Sequence, residues 1–161
     1  MILRWTCTSL AAAALLAGCG NDDATNGLKA RLPELADGQE RAVAGYLSGG
    51  VAGFCDGIAV ARNGAGVTTA CGVDGISRHA FTVDGLRLEQ MRSHLARIDA
   101  AALSEAQPCP VAEPGVVDGM SAYFEIEGVG PICSGAPAIT ALVGETKDLL
   151  LENAAGRPGT G

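Results

Sequence analysis

Between Arg41 and Val83 the apolar residues come in short runs punctuated by glycine. That is the pattern of β-strands joined by tight turns. Arg41 to Leu47 reads as a first strand. Phe54 to Ala61 and Ala65 to Cys71 read as a hairpin around Arg62-Asn63-Gly64, where a glycine at the last loop position supplies a positive φ. The resulting register sets Ala61 opposite Ala65, Ala59 opposite Val67, Gly57 opposite Thr69 and Cys55 opposite Cys71. It turns Phe54, Ile58 and Val60 to one face and leaves small residues on the other. Arg78 to Val83 is a fourth strand, with His79, Phe81 and Val83 on one side.

At Asp84 the period changes. Leu88, Met91, Leu95 and Ile98 form one stripe of an amphipathic helix, with Asp84 as its N-cap. A Pro-rich loop follows, from Gln107 to Gly115. Met120, Ala122, Phe124 and Ile126 alternate with Ser121, Tyr123, Glu125 and Glu127, which predicts a half-buried strand with one wet face. Pro131 to Cys133 reads as a short returning strand. Pro137 suits a helix start, and Ile139, Leu142, Val143, Thr146, Leu149 and Leu150 form a second apolar stripe. The element order predicts an α+β domain, an antiparallel sheet with two helices packed on one face.

The N-terminal residues do not fit that pattern. Arg4 precedes an apolar stretch that ends in Leu16-Ala17-Gly18-Cys19. The stretch is too short to span a membrane, which takes about 20 residues, and has the layout of a secretory signal. Leu-Ala-Gly-Cys resembles the bacterial lipoprotein signal, whose cysteine is acylated before cleavage in front of it. That resemblance implies a signal peptide at residues 1–18 and lipid on Cys19. Two or more acyl chains give stable anchoring where one does not. Gly20 stands where inner-membrane lipoproteins often carry Asp, so the resemblance implies the outer membrane, periplasmic face. Residues 19–40 read as a flexible tether, residues 41–153 as a single domain and residues 154–161 as a disordered tail.

Composition narrows the function classes. Of 161 residues, 48% are hydrophobic but only 4% aromatic, and the formal charge is −7. An acidic chain is a poor ligand for nucleic acid. Apart from Cys7 in the signal and Cys19, four cysteines remain: Cys55, Cys71, Cys109 and Cys133. An even set in an exported chain reads as disulfides. The hairpin register pairs Cys55 with Cys71 and leaves Cys109 for Cys133. A metal site is a poor reading, because no Cys-x-x-Cys occurs and both histidines lie elsewhere.

No nucleophile elbow, zinc-protease motif, Walker loop or dinucleotide fingerprint occurs. His79 and His94 fall on different elements, and Glu125 and Glu127 read as a solvated strand face. The glycine segment lacks the lysine and following helix of a phosphate cradle. No enzyme and no cofactor are expected.

Ser48-Gly49-Gly50-Val51-Ala52-Gly53-Phe54 resembles the Ser-Gly-Gly-Phe-Ala-Gly segment of emfourin-like proteins, small inhibitors of thermolysin-like metallopeptidases such as protealysin. The order of hairpin, helix, aromatic-acidic strand and closing helix resembles theirs over about residues 43–152. This chain differs in Val51, in its four cysteines, in its lipoprotein signal and in a longer loop at residues 104–118. The resemblance implies a lipid-anchored inhibitor of a secreted metallopeptidase. Ser48, Gly49, Gly50, Val51, Ala52 and Gly53 would form its contact loop. The alternative is a non-catalytic envelope binding or structural lipoprotein.

Overall fold

The alternation of side chains along the strands sorts them onto two faces, and both faces are buried over most of the first three strands in the chain. The computed structural model describes residues 26–49, 54–72, 74–110 and 119–154. It contains the strands β1 (Arg41–Gly49), β2 (Phe54–Ala61), β3 (Ala65–Gly72), β4 (Gly75–Thr82) and β5 (Met120–Ile126). A helical turn at residues 26–29 and a 3-10 turn at Ala36–Gly38 precede the sheet, and the helices after β4 are α1 (Gly85–Leu95), α2 (Ala100–Ser104) and α3 (Pro137–Asn153). One antiparallel sheet runs in the order β4-β3-β2-β1-β5. The expected signal at residues 1–18, Cys19, residues 50–53 of the glycine segment and all of the expected tail but Ala154 lie outside the described residues.

The β2–β3 register has Ala59 opposite Val67 and Gly57 opposite Thr69, as the turn residues require. Gly64 takes φ +91°. A Cβ there would press on Leu88, with its Cδ2 at 2.8 Å. Cys55–Cys71 and Cys109–Cys133 are both disulfide-bonded.

On the first face Val43, Leu47, Ile58, Val60, Phe124 and Ile126 meet Met91 and Leu95 of α1 and the apolar stripe of α3. The α1 cap is as expected, with Asp84 Oδ1 accepting from the Arg87 N–H at 3.1 Å. Arg87 reaches across to Glu152 of α3 at 2.6 Å. Phe124 lies over Gly45, where any Cβ would overlap its ring.

The second face is the main correction to the sequence reading. Residues 26–40, expected to be tether, fold onto the sheet. Leu28, Leu32 and Leu35 pack on Ala44, Tyr46, Ala59, Ala61, Val67 and Tyr123 as a second core. The cause is the small-residue face itself. Alanines and glycines leave an apolar surface with no bulk of its own, and three leucines spaced four and three apart fill it. Each fully buried leucine contributes about 1.5–3 kcal/mol.

Smaller differences have local causes. The expected wet face of β5 is dry at its centre, where Tyr123 and Glu125 are both about 1% exposed, while Ser121 and Glu127 at its ends stay partly exposed. α1 ends at Leu95, and Asp99 caps the unpredicted α2 by accepting from the Ala102 N–H at 2.8 Å. β4 starts at Gly75 rather than Arg78, since Gly72 and Gly75 close a tight turn. Pro131 to Cys133 is an irregular segment rather than a strand. Its Ile132 N–H still bonds the Phe124 carbonyl at 2.8 Å, and Cys133 bonds Gln107 at 2.9 Å.

Cys109–Cys133 thereby staples the loop after α2 to the segment after β5, over a sequence separation of 24. Replacing both cysteines by serine is expected to cost about 3.5 kcal/mol by loop entropy. Urea denaturation against the unsubstituted chain measures it.

Candidate functional site

Two regions at opposite ends of the sheet concentrate the chain's distinctive residues. The first is the β1–β2 connection. β1 and β2 stay paired to their tips, Ser48 with Cys55 and Gly49 with Phe54. Residues 50–53 join those tips and lie outside the described residues, so Gly50, Val51, Ala52 and Gly53 have no described geometry. Their anchor points do. Gly49 takes φ +93°, and a Cβ there would collide with the Gly119 carbonyl oxygen, so the position demands glycine. Cys55 is bonded to Cys71 with Cα atoms 5.3 Å apart, one residue beyond Phe54.

The tyrosine behind that disulfide is held as well. Tyr46 Oη lies 3.0 Å from Cys55 Sγ. Arg31 donates to Tyr46 Oη at 3.3 Å and stacks with its guanidinium 5.9 Å from the ring centre. Met120 sits opposite Gly49 and is 42% exposed, and Ile76, opposite Cys71 on β4, is 74% exposed. The two exposed side chains lie at opposite edges of the sheet, and only Met120 adjoins the fixed backbone anchor at Gly49.

The second region is an open cleft of about 1160 Å³ at the other end, between residues 34–42, the β2–β3 turn and the end of β5. Its floor holds a buried carboxylate. Arg41 Nε donates to Glu125 Oε1 at 2.8 Å, and the Tyr123 phenol donates to Glu125 Oε2 at 3.4 Å. Arg62 pairs with Glu127 at the rim. The expected solvated pair, Glu125 and Glu127, is thus split into a buried ion-paired residue and a half-exposed one. No pattern in the β5 sequence marks Glu125 for burial. The only signal is Arg41, which the β1 bulge between Arg41 and Val43 brings to the end of β5.

Burial, with the neighbouring Glu125 charge, pushes the Tyr123 phenol up to about 12. An unfolded tyrosine ionises near 10, so the folded chain keeps its proton to higher pH. The stability linked to this group is whole below about pH 10 and is lost as pH rises through about 12. Tyr123→Phe is expected to remove that alkaline loss, read as the pH dependence of the urea midpoint from pH 9 to 12.

His79 is exposed on β4, and His94 is half-buried on α1 with Nδ1 2.8 Å from Arg97 Nη2. The structure does not bring them together. Among the described residues no group of His, Cys, Asp and Glu is placed to hold a metal ion, and no helix is long and apolar enough to cross a membrane. No protein family, no curated protein and no solved structure matches the chain.

Proposed function

We propose that this chain is a lipid-anchored protein of a bacterial envelope. In this reading it inhibits a thermolysin-like metallopeptidase through Ser48, Gly49, Gly50, Val51, Ala52 and Gly53. The observation that carries the reading is the anchoring of that loop. Its ends are fixed by strand pairing through Gly49 and Phe54 and by Cys55–Cys71 immediately behind. A short segment held at both ends loses little entropy on docking, which is what an inhibitory loop needs. Exposed Met120, opposite Gly49, supplies apolar area for a partner.

The anchor rests on the lipoprotein-like signal and Cys19, with the outer membrane favoured by Gly20. Because the fold begins by Asn26, residues 20–25 alone separate the lipid from it. Even fully extended they reach only about 20 Å. The domain would work close to the bilayer rather than at the end of a long leash. Metabolic labelling with palmitate tests this, with label expected on the native chain and lost in Cys19→Ser.

Residues 20–161 keep every described element and both disulfides. Added to a thermolysin-like peptidase, they are expected to reduce its activity stoichiometrically at micromolar concentration. Their digestion as an ordinary substrate would contradict the reading. The cleft above Glu125 favours a second reading, a non-catalytic envelope binding module. Recovery of a different stoichiometric envelope partner would support it.

A further inference from the structure

The two edges of the sheet are treated differently. The outer edge of β5 is covered by the chain itself: Ala122 N–H donates to Pro110 O at 3.2 Å, Ile132 N–H to Phe124 O at 2.8 Å, and Ile126 N–H to Val129 O at 3.0 Å. Cys109–Cys133 fastens that cover in place. The outer edge of β4 has no such cover among the described residues. β4 ends the strand order and is exposed along nearly its whole length. Val83 N–H donates to Gly64 O at 2.9 Å. From that pair the antiparallel alternation turns Phe81, His79, Ser77 and Gly75 toward β3. The same alternation points the N–H and C=O groups of Ile76, Arg78, Ala80 and Thr82 outward. A strand edge of this kind is a template for another strand.

We infer that the outer edge of β4 docks an extended, acidic segment of a partner protein, which adds to the sheet as a further strand. Charge selects the occupant. The ionisable residues of β4 are Arg78 and His79, with no acidic residue between Gly75 and Thr82, in a chain of net charge −7. A second copy is a poor fit. A two-fold pairing centred on Arg78 sets the two guanidiniums directly opposite, where like charges repel, and one centred on His79 sets Arg78 against Ala80 and brings it no opposite charge. The Arg78 guanidinium donates to the Glu34 main-chain carbonyl, which leaves its charge unneutralised, so an acidic strand gains from it, and the strand's alternate residues meet Ile76 on one face and Phe81 on the other. Main-chain bonds supply affinity and the alternate side chains supply selectivity.

The probe is a blocked peptide alternating Glu and Val along the length of β4, added to residues 20–161. In the free chain the amides of Ile76, Arg78, Ala80 and Thr82 are expected to exchange fast, and with peptide they gain protection. Ala80→Pro removes an outward N–H that the sheet does not use, a substitution edge strands tolerate. It is expected to weaken peptide binding about tenfold or more while leaving thermal unfolding unchanged. Arg78→Glu keeps the backbone intact and is expected to reverse the preference from the Glu-Val peptide to a Lys-Val peptide. Slow exchange of those amides in the free chain would show the edge already covered by the chain's own residues. Concentration-dependent dimerisation that protects β4 would make a second copy the occupant. Either result overturns the inference, as does equal binding by both variants or no binding at all.

Discussion

Replacing Leu28, Leu32 and Leu35 together by serine is expected to remove about 5 kcal/mol of stability, a sum discounted from about 2 kcal/mol or more for each buried leucine. A domain's whole stability is of order 5–15 kcal/mol, so the triple variant should lie close to unfolded at room temperature. The leucines are 8%, 6% and 9% exposed, and they provide the covering layer for Ala44, Ala59, Ala61 and Val67. Without them the second face of the sheet meets water, and Tyr123 and Glu125 lose their shelter. Urea denaturation followed by circular dichroism measures the loss. A change under 1 kcal/mol would mean that residues 26–35 do not seal the sheet in solution.

The second large effect is at the buried carboxylate. Arg41→Met keeps length and apolar stem but removes the guanidinium that pairs with Glu125. Glu125 is 1% exposed, while the Arg41 side chain keeps 28% of its surface. Stranding a buried charge costs about 3–5 kcal/mol, and the partial exposure of Arg41 places the expected loss near the lower figure. Glu125→Gln in the Arg41→Met background should restore much of it, because the neutral amide still accepts from Tyr123 and carries no unpaired charge. Loss of stability in Arg41→Met that the second substitution leaves untouched would place the cost in packing instead of charge.

These two sites also mark what was legible in the sequence. The β2–β3 register followed from Gly64 alone, and with it the Cys55–Cys71 pair. The stripes of α1 and α3 were legible because a 3.6-residue period repeats across several turns. Leu28, Leu32 and Leu35 carry the same spacing for barely two turns, among Lys29, Arg31 and Glu34, and nothing local separates them from linker. Their burial is decided by the alanine-rich face they cover, which is remote in sequence. Glu125 was misplaced for the same reason, since its dry environment is built by Arg41 and by the N-terminal layer. α2 was hidden by its length, although Asp99 ahead of a run of alanines is a cap signal that a shorter window detects. The role of residues 48–53 rests on the resemblance of the glycine segment, supported by the anchoring of its ends.

The most direct measurement titrates a thermolysin-like peptidase with residues 20–161 and, side by side, with the Val51→Asp variant. The reading of this chain as a loop-presenting inhibitor expects activity to fall with a one-to-one end point for the unsubstituted chain. It expects Val51→Asp, folded by the same circular dichroism criterion, to shift inhibition at least about tenfold weaker, the scale of a charge forced into an apolar pocket. Equal inhibition by both chains would move the contact away from the glycine loop. Full peptidase activity in the presence of excess unsubstituted chain would contradict the inhibitor reading outright.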